Sequence, residues 1–171
     1  SSPYYRGETV APGARSKCYR WLAYDNMPHQ GRLWPYVDSE AEWDRRLERR
    51  YEGFVTAAVE AGIDHQTVAA NFDPESAVWT PVQFRDTFGT VEWRSPDTAV
   101  PSQVLGLADR LATITEHLRS ADVRIAGSEP VCSPDEVVLP EFSHVLDHVE
   151  TAISDGLTEA VAAYLDRFGF D

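Results

Sequence analysis

Four side chains in the middle of the chain have the types and spacing to handle a charged ligand: Gln83, Arg85, Glu92 and Arg94. They lie in two β-type runs, AVWTPVQFR and TVEWR, on either side of Asp86-Thr87-Phe88-Gly89. A four-residue connection closing on glycine between such runs reads as an antiparallel hairpin. With that turn, Arg85 opposes Thr90, Phe84 opposes Val91, Gln83 opposes Glu92 and Val82 opposes Trp93, and opposed residues share a face. Val82, Phe84, Val91 and Trp93 are therefore expected to cover a core, while Gln83, Arg85, Glu92 and Arg94 form the other face. A carboxylate can ligate a hard divalent cation, and guanidinium forks bind phosphate or carboxylate oxygens two at a time. The same pattern fits a solvated sheet face whose ion pairs contribute about 0–1 kcal/mol each. Pattern alone leaves both readings open.

The elements that must position these groups can be read on either side. Ser39 and Glu42 make a capping box for a helix through EAEWDRRLERRYEGFVTAAVEA, with Trp43, Leu47, Tyr51, Phe54, Val55 and Val59 at helical spacing and Gly62 as its stop. A polar loop with Asn71, Asp73 and Pro74 separates it from the hairpin. Pro101 opens a second amphipathic helix to about Ser120, carrying Val104, Leu105, Leu107, Ala108, Leu111, Ile114 and Leu118. A short strand or turn at 122–126 and a proline-rich loop come next. Two further helices are expected, one stopped at Gly156 and one capped by Thr158 and stopped at Gly169. Residues 1–38 hold many aromatics without a period, an irregular length that calls for a functional reason, with a short helix or strand at 15–23. The fold class is α+β: helix-rich, with a small antiparallel sheet covered on one face by helices.

The chain of 171 residues reads as a single domain, residues 1–171, long enough to bury roughly two thirds of its unfolded surface. Its 43% hydrophobic content is that of a folded protein. Asp and Glu number 28 against 15 Lys and Arg, a net charge of -13, and Lys17 is the one lysine. Loss of lysine with retention of arginine points to a salt-rich cytoplasm, where the Debye length falls to about 3 Å at 1 M and self-repulsion is screened. The absence of a basic face disfavours nucleic acid. No apolar run approaches a membrane span and no leader is evident, so a cytoplasmic protein with no membrane partner is expected. Two cysteines, Cys18 and Cys132, lack metal-ligand spacing and are too few for a disulfide scaffold.

Other chemistry-bearing residues have simpler readings. His144 and His148 sit four apart beside Glu141 and Asp147, but their helix places Phe142, Val145, Leu146, Val149 and Ile153 toward the core and supplies no third ligand at known spacing. WDRRLERR is a basic cluster with acidic neighbours at helical spacing, as on a solvated helix face. Cys18 lies near Arg15, Lys17 and Arg20 but has no paired base. His29, His65 and His117 are isolated, and the early Tyr and Trp residues read as loop or core anchors.

Three segments in order resemble glutamate-cysteine ligases and related carboxylate-amine ligases. VEWRSPDT before a long amphipathic helix is similar to their strand-loop-helix, SSPYYRG to a Ser-Pro-aromatic-x-Gly segment, and ARSKCYRW to an Arg-Ser-x-x-aromatic-Arg run; together they cover roughly residues 1–119. The resemblance implies a glutamine-synthetase-like catalytic domain in which an antiparallel sheet holds ATP and Mg2+. There a substrate carboxylate is phosphorylated and the acyl-phosphate is attacked by an amine, chemistry that rests on positioning and charge neutralisation. On this reading Glu92 matches the metal-binding strand glutamate and Arg94 the arginine that neutralises nucleotide phosphate. Arg15 and Arg20 are candidate clamps for phosphate or substrate carboxylate, and Arg85 matches a catalytic arginine of the preceding strand, although the turn is shorter than the family's common pattern.

The implied reaction joins glutamate to cysteine, giving γ-glutamylcysteine, or to another amine. In the family the Ser-Pro segment lies near mid-chain and earlier strands supply further metal-binding glutamates. The expectation is thus the C-terminal half of a larger ligase, inactive alone, in a homo-oligomer or paired with a missing N-terminal half. The alternatives are a non-catalytic scaffold and an acidic helical interaction module.

Overall fold

The structure is a computed structural model that describes residues 3–22, 24, 27, 29–96 and 99–170. The expected helix-rich α+β class is observed. The length of the chain reads as one domain; the structure groups it into two compact units, residues 1–15 with 97–171, and residues 16–96. Each is described by itself.

The discontinuous unit begins with an antiparallel pair, β1 (Tyr4–Tyr5) and β2 (Glu8–Thr9), where the sequence pattern gives no period. Arg6 at φ 51° and Gly7 at φ 87° form its two-residue turn, both central residues being left-handed as a turn of this hand requires. The short helix α1 (Ala14–Lys17) comes next; the chain passes within it into the central unit and continues as a π-helical turn at Cys18–Leu22, so the expected short element is helical over its described residues 15–22.

The central unit, residues 16–96, is built on α2 (Glu40–Glu60), the longest helix among the described residues. Ser39 caps it as the sequence predicts, its side chain accepting from the Glu42 backbone N–H at 3.3 Å. Trp43 and Leu47, one turn apart, anchor α2 in a core with Trp34 and Val78, against which Val37, Tyr51 and Phe84 pack. The Trp34 and Trp43 rings lie 4.6 Å apart, and Phe84 meets Trp43 edge-on at 5.0 Å.

The segment read as a polar loop instead holds two short helices, α3 (His65–Asn71) and α4 (Pro74–Ala77). Each starts on an aspartate, Asp64 or Asp73, whose carboxylate accepts the N–H three residues on. The hairpin is formed by β3 (Val82–Arg85) and β4 (Thr90–Trp93), joined by a 3-10 turn at Asp86–Phe88 and left-handed Gly89. A close approach also fixes Gly31: its φ is 71°, and a Cβ there would lie 2.6 Å from the Tyr19 carbonyl oxygen.

The remainder of the first unit contains α5 (Pro101–Leu118), β5 (Asp122–Ile125), β6 (Val131–Cys132), β7 (Glu136–Leu139), α6 (Phe142–Asp155) and α7 (Glu159–Asp166). The central strand is β7, parallel to β5 and antiparallel to β6, with Val137 and Val138 buried. The strand lies within the expected proline-rich loop. Along α6, His148 packs its ring on Tyr164 of α7 at 4.4 Å, which gives that histidine a packing role. The expected amphipathic helix is observed as α5; none of its described residues is buried, and Leu105 is 66% exposed.

Candidate functional site

The hairpin has the register read from the sequence: Val82 pairs with Trp93, Gln83 with Glu92, Phe84 with Val91 and Arg85 with Thr90. The Arg94 N–H extends the ladder by one bond to the Pro81 carbonyl, at 2.8 Å. That register puts Glu92 between two arginines. Its Oε2 lies 3.2 Å from Arg85 Nε and 3.3 Å from Arg94 Nε. Both contacts are ion pairs without hydrogen-bond alignment, and the oxygen is covered although the Glu92 side chain is 42% exposed. Arg85 turns its other end to Glu75 of α4, Nη1 to Oε2 at 3.0 Å.

Glu75, Arg85, Glu92 and Arg94 thus form a chain of alternating charge, in which each guanidinium contacts a carboxylate of the protein. The cap at Asp73 positions Glu75, because α4 is one turn long and starts there. Hydrogen bonds from Ser76, backbone and then side chain, hold the Asp73 carboxyl below its ordinary range, and Arg85 adds a smaller pull in the same direction.

Two expectations about the faces require correction. Gln83, expected on an open polar wall, is fully buried; its Nε2 donates to the Glu75 carbonyl at 3.2 Å while its Oε1 has no partner among the described residues. Conversely, Val91 is 60% exposed and Trp93 is 42% exposed on the face expected to cover a core. The reason is that the contacts from α4 and from the tryptophan core fall on β3, through Gln83, Arg85 and Phe84, and leave Val91 and Trp93 of β4 less covered.

Among the residues proposed from sequence, Arg85, Glu92 and Arg94 converge. Arg20 is buried in the π-helical turn at Cys18–Leu22 of the same unit, and Arg15 falls at the end of the other unit's first segment. The hollow beside the hairpin turn, about 420 Å³, is lined by Arg85 with Glu40, Asp86 and Val91, and takes neither Glu92 nor Arg94 into its wall. No group of three His, Cys, Asp or Glu side chains able to hold a metal occurs among the described residues.

Sequence reasoning passed over Glu75, whose signal was the Asp-Pro-Glu cap that starts α4. The basic cluster WDRRLERR, by contrast, stands out in the sequence, but the hollow it lines does not. Arg46, Arg49 and Arg50 of α2, read as solvated, line hollows of about 220 and 420 Å³ together with His29 and Arg32. Only the clustering of WDRRLERR hinted at this, since the opposing wall comes from an irregular segment.

No protein-family model, curated protein or solved structure matches the chain. No described helix is long and apolar enough to cross a membrane.

Proposed function

We propose that the chain is part of an ATP-dependent carboxylate-amine ligase of the glutamate-cysteine ligase type, with the Glu92 hairpin face as one wall of its nucleotide site. The observation that carries this reading is the convergence of Arg85 and Arg94 on one carboxylate. Two guanidiniums drawn to a single anionic oxygen are drawn equally to a phosphate oxygen, so a nucleotide phosphate can compete with Glu92 for them. Arg94 and Arg85 would then orient and neutralise the transferring phosphoryl group.

The described residues do not fit Mg2+ by themselves. Glu92 Oε2 already faces two guanidiniums, and a hard cation needs several oxygen ligands. No step of the reaction is therefore assigned to the metal. The ligase reading requires further carboxylates from another body, either an N-terminal half or a second copy, and the exposed apolar residues Val91 and Trp93 of β4 are where such a body would find surface to bury.

The charge-closed network favours a second reading, a non-catalytic scaffold in which Glu75 and Glu92 hold the arginines permanently. Titration of the chain with ATP, with and without Mg2+, separates the two. Saturable binding at millimolar nucleotide, lost in Arg94→Gln, supports the ligase wall; absence of binding supports the scaffold. Catalysis is tested by ADP formation with glutamate and a panel of amines once the complementary segment is supplied.

A further inference from the structure

We propose that the arginine-lined hollow between α2 and residues 29–35 binds a small phosphate monoester with an apolar or aromatic body. Two adjoining cavities, about 220 and 420 Å³, share His29, Arg49 and Arg50 in their walls. Arg46, Arg49, Arg50 and Gly53 stand at helical spacings of three, four and seven and so share a face of α2, while Arg32 comes from the opposing segment.

In a chain of net charge -13 this concentration of cations is unusual. Arg46 is engaged by Glu42 at 2.8 Å and by the Pro35 carbonyl at 2.7 Å. Arg32, Arg49 and Arg50 have no carboxylate within ion-pair reach among the described residues. The local field is positive enough to act on its members: Arg50 first, then burial and Arg32, pull the His29 imidazole below its ordinary range. Burial, then Arg46 and Arg49, do the same to Arg50.

The second observation is Gly53. A glycine in a helix interior is disfavoured relative to alanine, and here neither a left-handed backbone nor a close neighbour asks for one, since a Cβ would meet nothing within 4 Å. The missing side chain leaves the wall of the hollow open beside Phe54 and Met27. Forked guanidiniums suit a phosphoryl group, and Phe54, Met27 and Leu33 suit an apolar body of small-molecule size. The overall negative charge opposes a long polyanion such as nucleic acid.

The test is calorimetric titration of the full chain at low salt with phenyl phosphate and with inorganic phosphate. Phenyl phosphate is expected to bind one-to-one and at least tenfold more tightly than inorganic phosphate. The double variant Arg49→Gln with Arg50→Gln should weaken it at least tenfold, while Arg45→Gln, exposed on the same helix but outside the hollow, should change it less than twofold. Gly53→Leu, which adds a side chain to the wall beside Phe54, should weaken phenyl phosphate while sparing inorganic phosphate. Arg94→Gln in the hairpin should leave it within twofold, which keeps the outcome separate from that of the nucleotide reading. No saturable binding, an equal loss in Arg45→Gln, or no preference for the phenyl ester would overturn the proposal, provided melting curves show the variants folded.

Discussion

Replacing Glu92 by glutamine removes one charge from the hairpin face at nearly constant shape, and the surrounding contacts set both the sign and the size of the effect. Glu92 makes two ion pairs, at 3.2 and 3.3 Å, with side chains that are 42% exposed for Glu92, 30% for Arg85 and 17% for Arg94. Neither pair is hydrogen-bond aligned and the carboxylate is partly solvated, so each is worth about 0.2–1 kcal/mol and their joint loss about 0.4–2 kcal/mol. In urea that amounts to a midpoint lowered by roughly 0.5 M. The same substitution should strengthen metal-free binding of a nucleoside triphosphate, because a phosphate seated on the same two guanidiniums comes within about 4 Å of the Glu92 carboxylate, and like charges at that separation repel by about 1 kcal/mol even at the dielectric of water, or about fivefold in affinity. Denaturant unfolding and a nucleotide titration on one preparation read both quantities. A stability loss above about 3 kcal/mol, the range for stranding a buried charge, would refute the picture of an open wall. Unchanged nucleotide affinity would show that these arginines are not available to a phosphate.

The neighbouring contacts make four further outcomes checkable. Asp73→Ala removes the cap of α4 and should cost about 0.5–2 kcal/mol, loosening Glu75 and with it Arg85, which is read as a raised mobility of the Arg85 Nε–H in NMR relaxation. Trp43→Ala empties the centre of the tryptophan core and should cost about 3–5 kcal/mol in denaturant unfolding. Gly31→Ala forces a Cβ to 2.6 Å from the Tyr19 carbonyl oxygen in a left-handed backbone, a strain of at least about 1–3 kcal/mol, visible as a lowered melting temperature. Stability should fall on acidification: His29, ordinarily near 6.5, and Asp73, ordinarily near 3.8, are both lowered in the folded state. Their contributions are therefore complete above those ordinary values and are lost as pH falls through the folded ones, first for His29 and then for Asp73. Unfolding midpoints between pH 8 and 3 check the order.

The hairpin and its register were legible because the turn, the β-branched and aromatic residues and the two-residue alternation all point the same way. Which face would be buried was not legible. Alternation separates two faces but does not say what neighbours cover them, and α4 covers the polar side over Gln83 while leaving Val91 exposed on β4. Similarly, β7 escaped notice because Glu136-Val-Val-Leu139 is four residues long and stands just before Pro140, so its strand character depends on pairing with β5 and β6, far weaker as a sequence signal than helical period. The caps at Asp64 and Asp73 were present as Asp-x-x-Thr and Asp-Pro signals, yet their helices are too short to show an apolar stripe. The convergence of Arg85, Glu92 and Arg94 came from the register, whereas the hollow at Arg49 and Arg50 required an irregular segment to fold over a helix, for which residue order carries no periodic trace.

The two arginine collections of the central unit differ in the respect that matters for ligand binding. At the hairpin, Arg85 and Arg94 reach protein carboxylates, so an anionic ligand must displace Glu75 or Glu92 and its net gain is reduced by whatever those pairs contribute. Along α2, Arg49 and Arg50 stand beside like charges, and among the described residues only Arg46 has a carboxylate partner, an arrangement that repels itself until an anion arrives. An incoming phosphate at the second place relieves repulsion as well as gaining forked contacts. Of two sites with similar donors, the one left electrostatically unsatisfied by its own chain should bind anions first. Pyrophosphate titrated against the Arg49→Gln with Arg50→Gln double variant and the Arg94→Gln variant should therefore lose most of its affinity in the former, and the reverse order would place the dominant anion site at the hairpin.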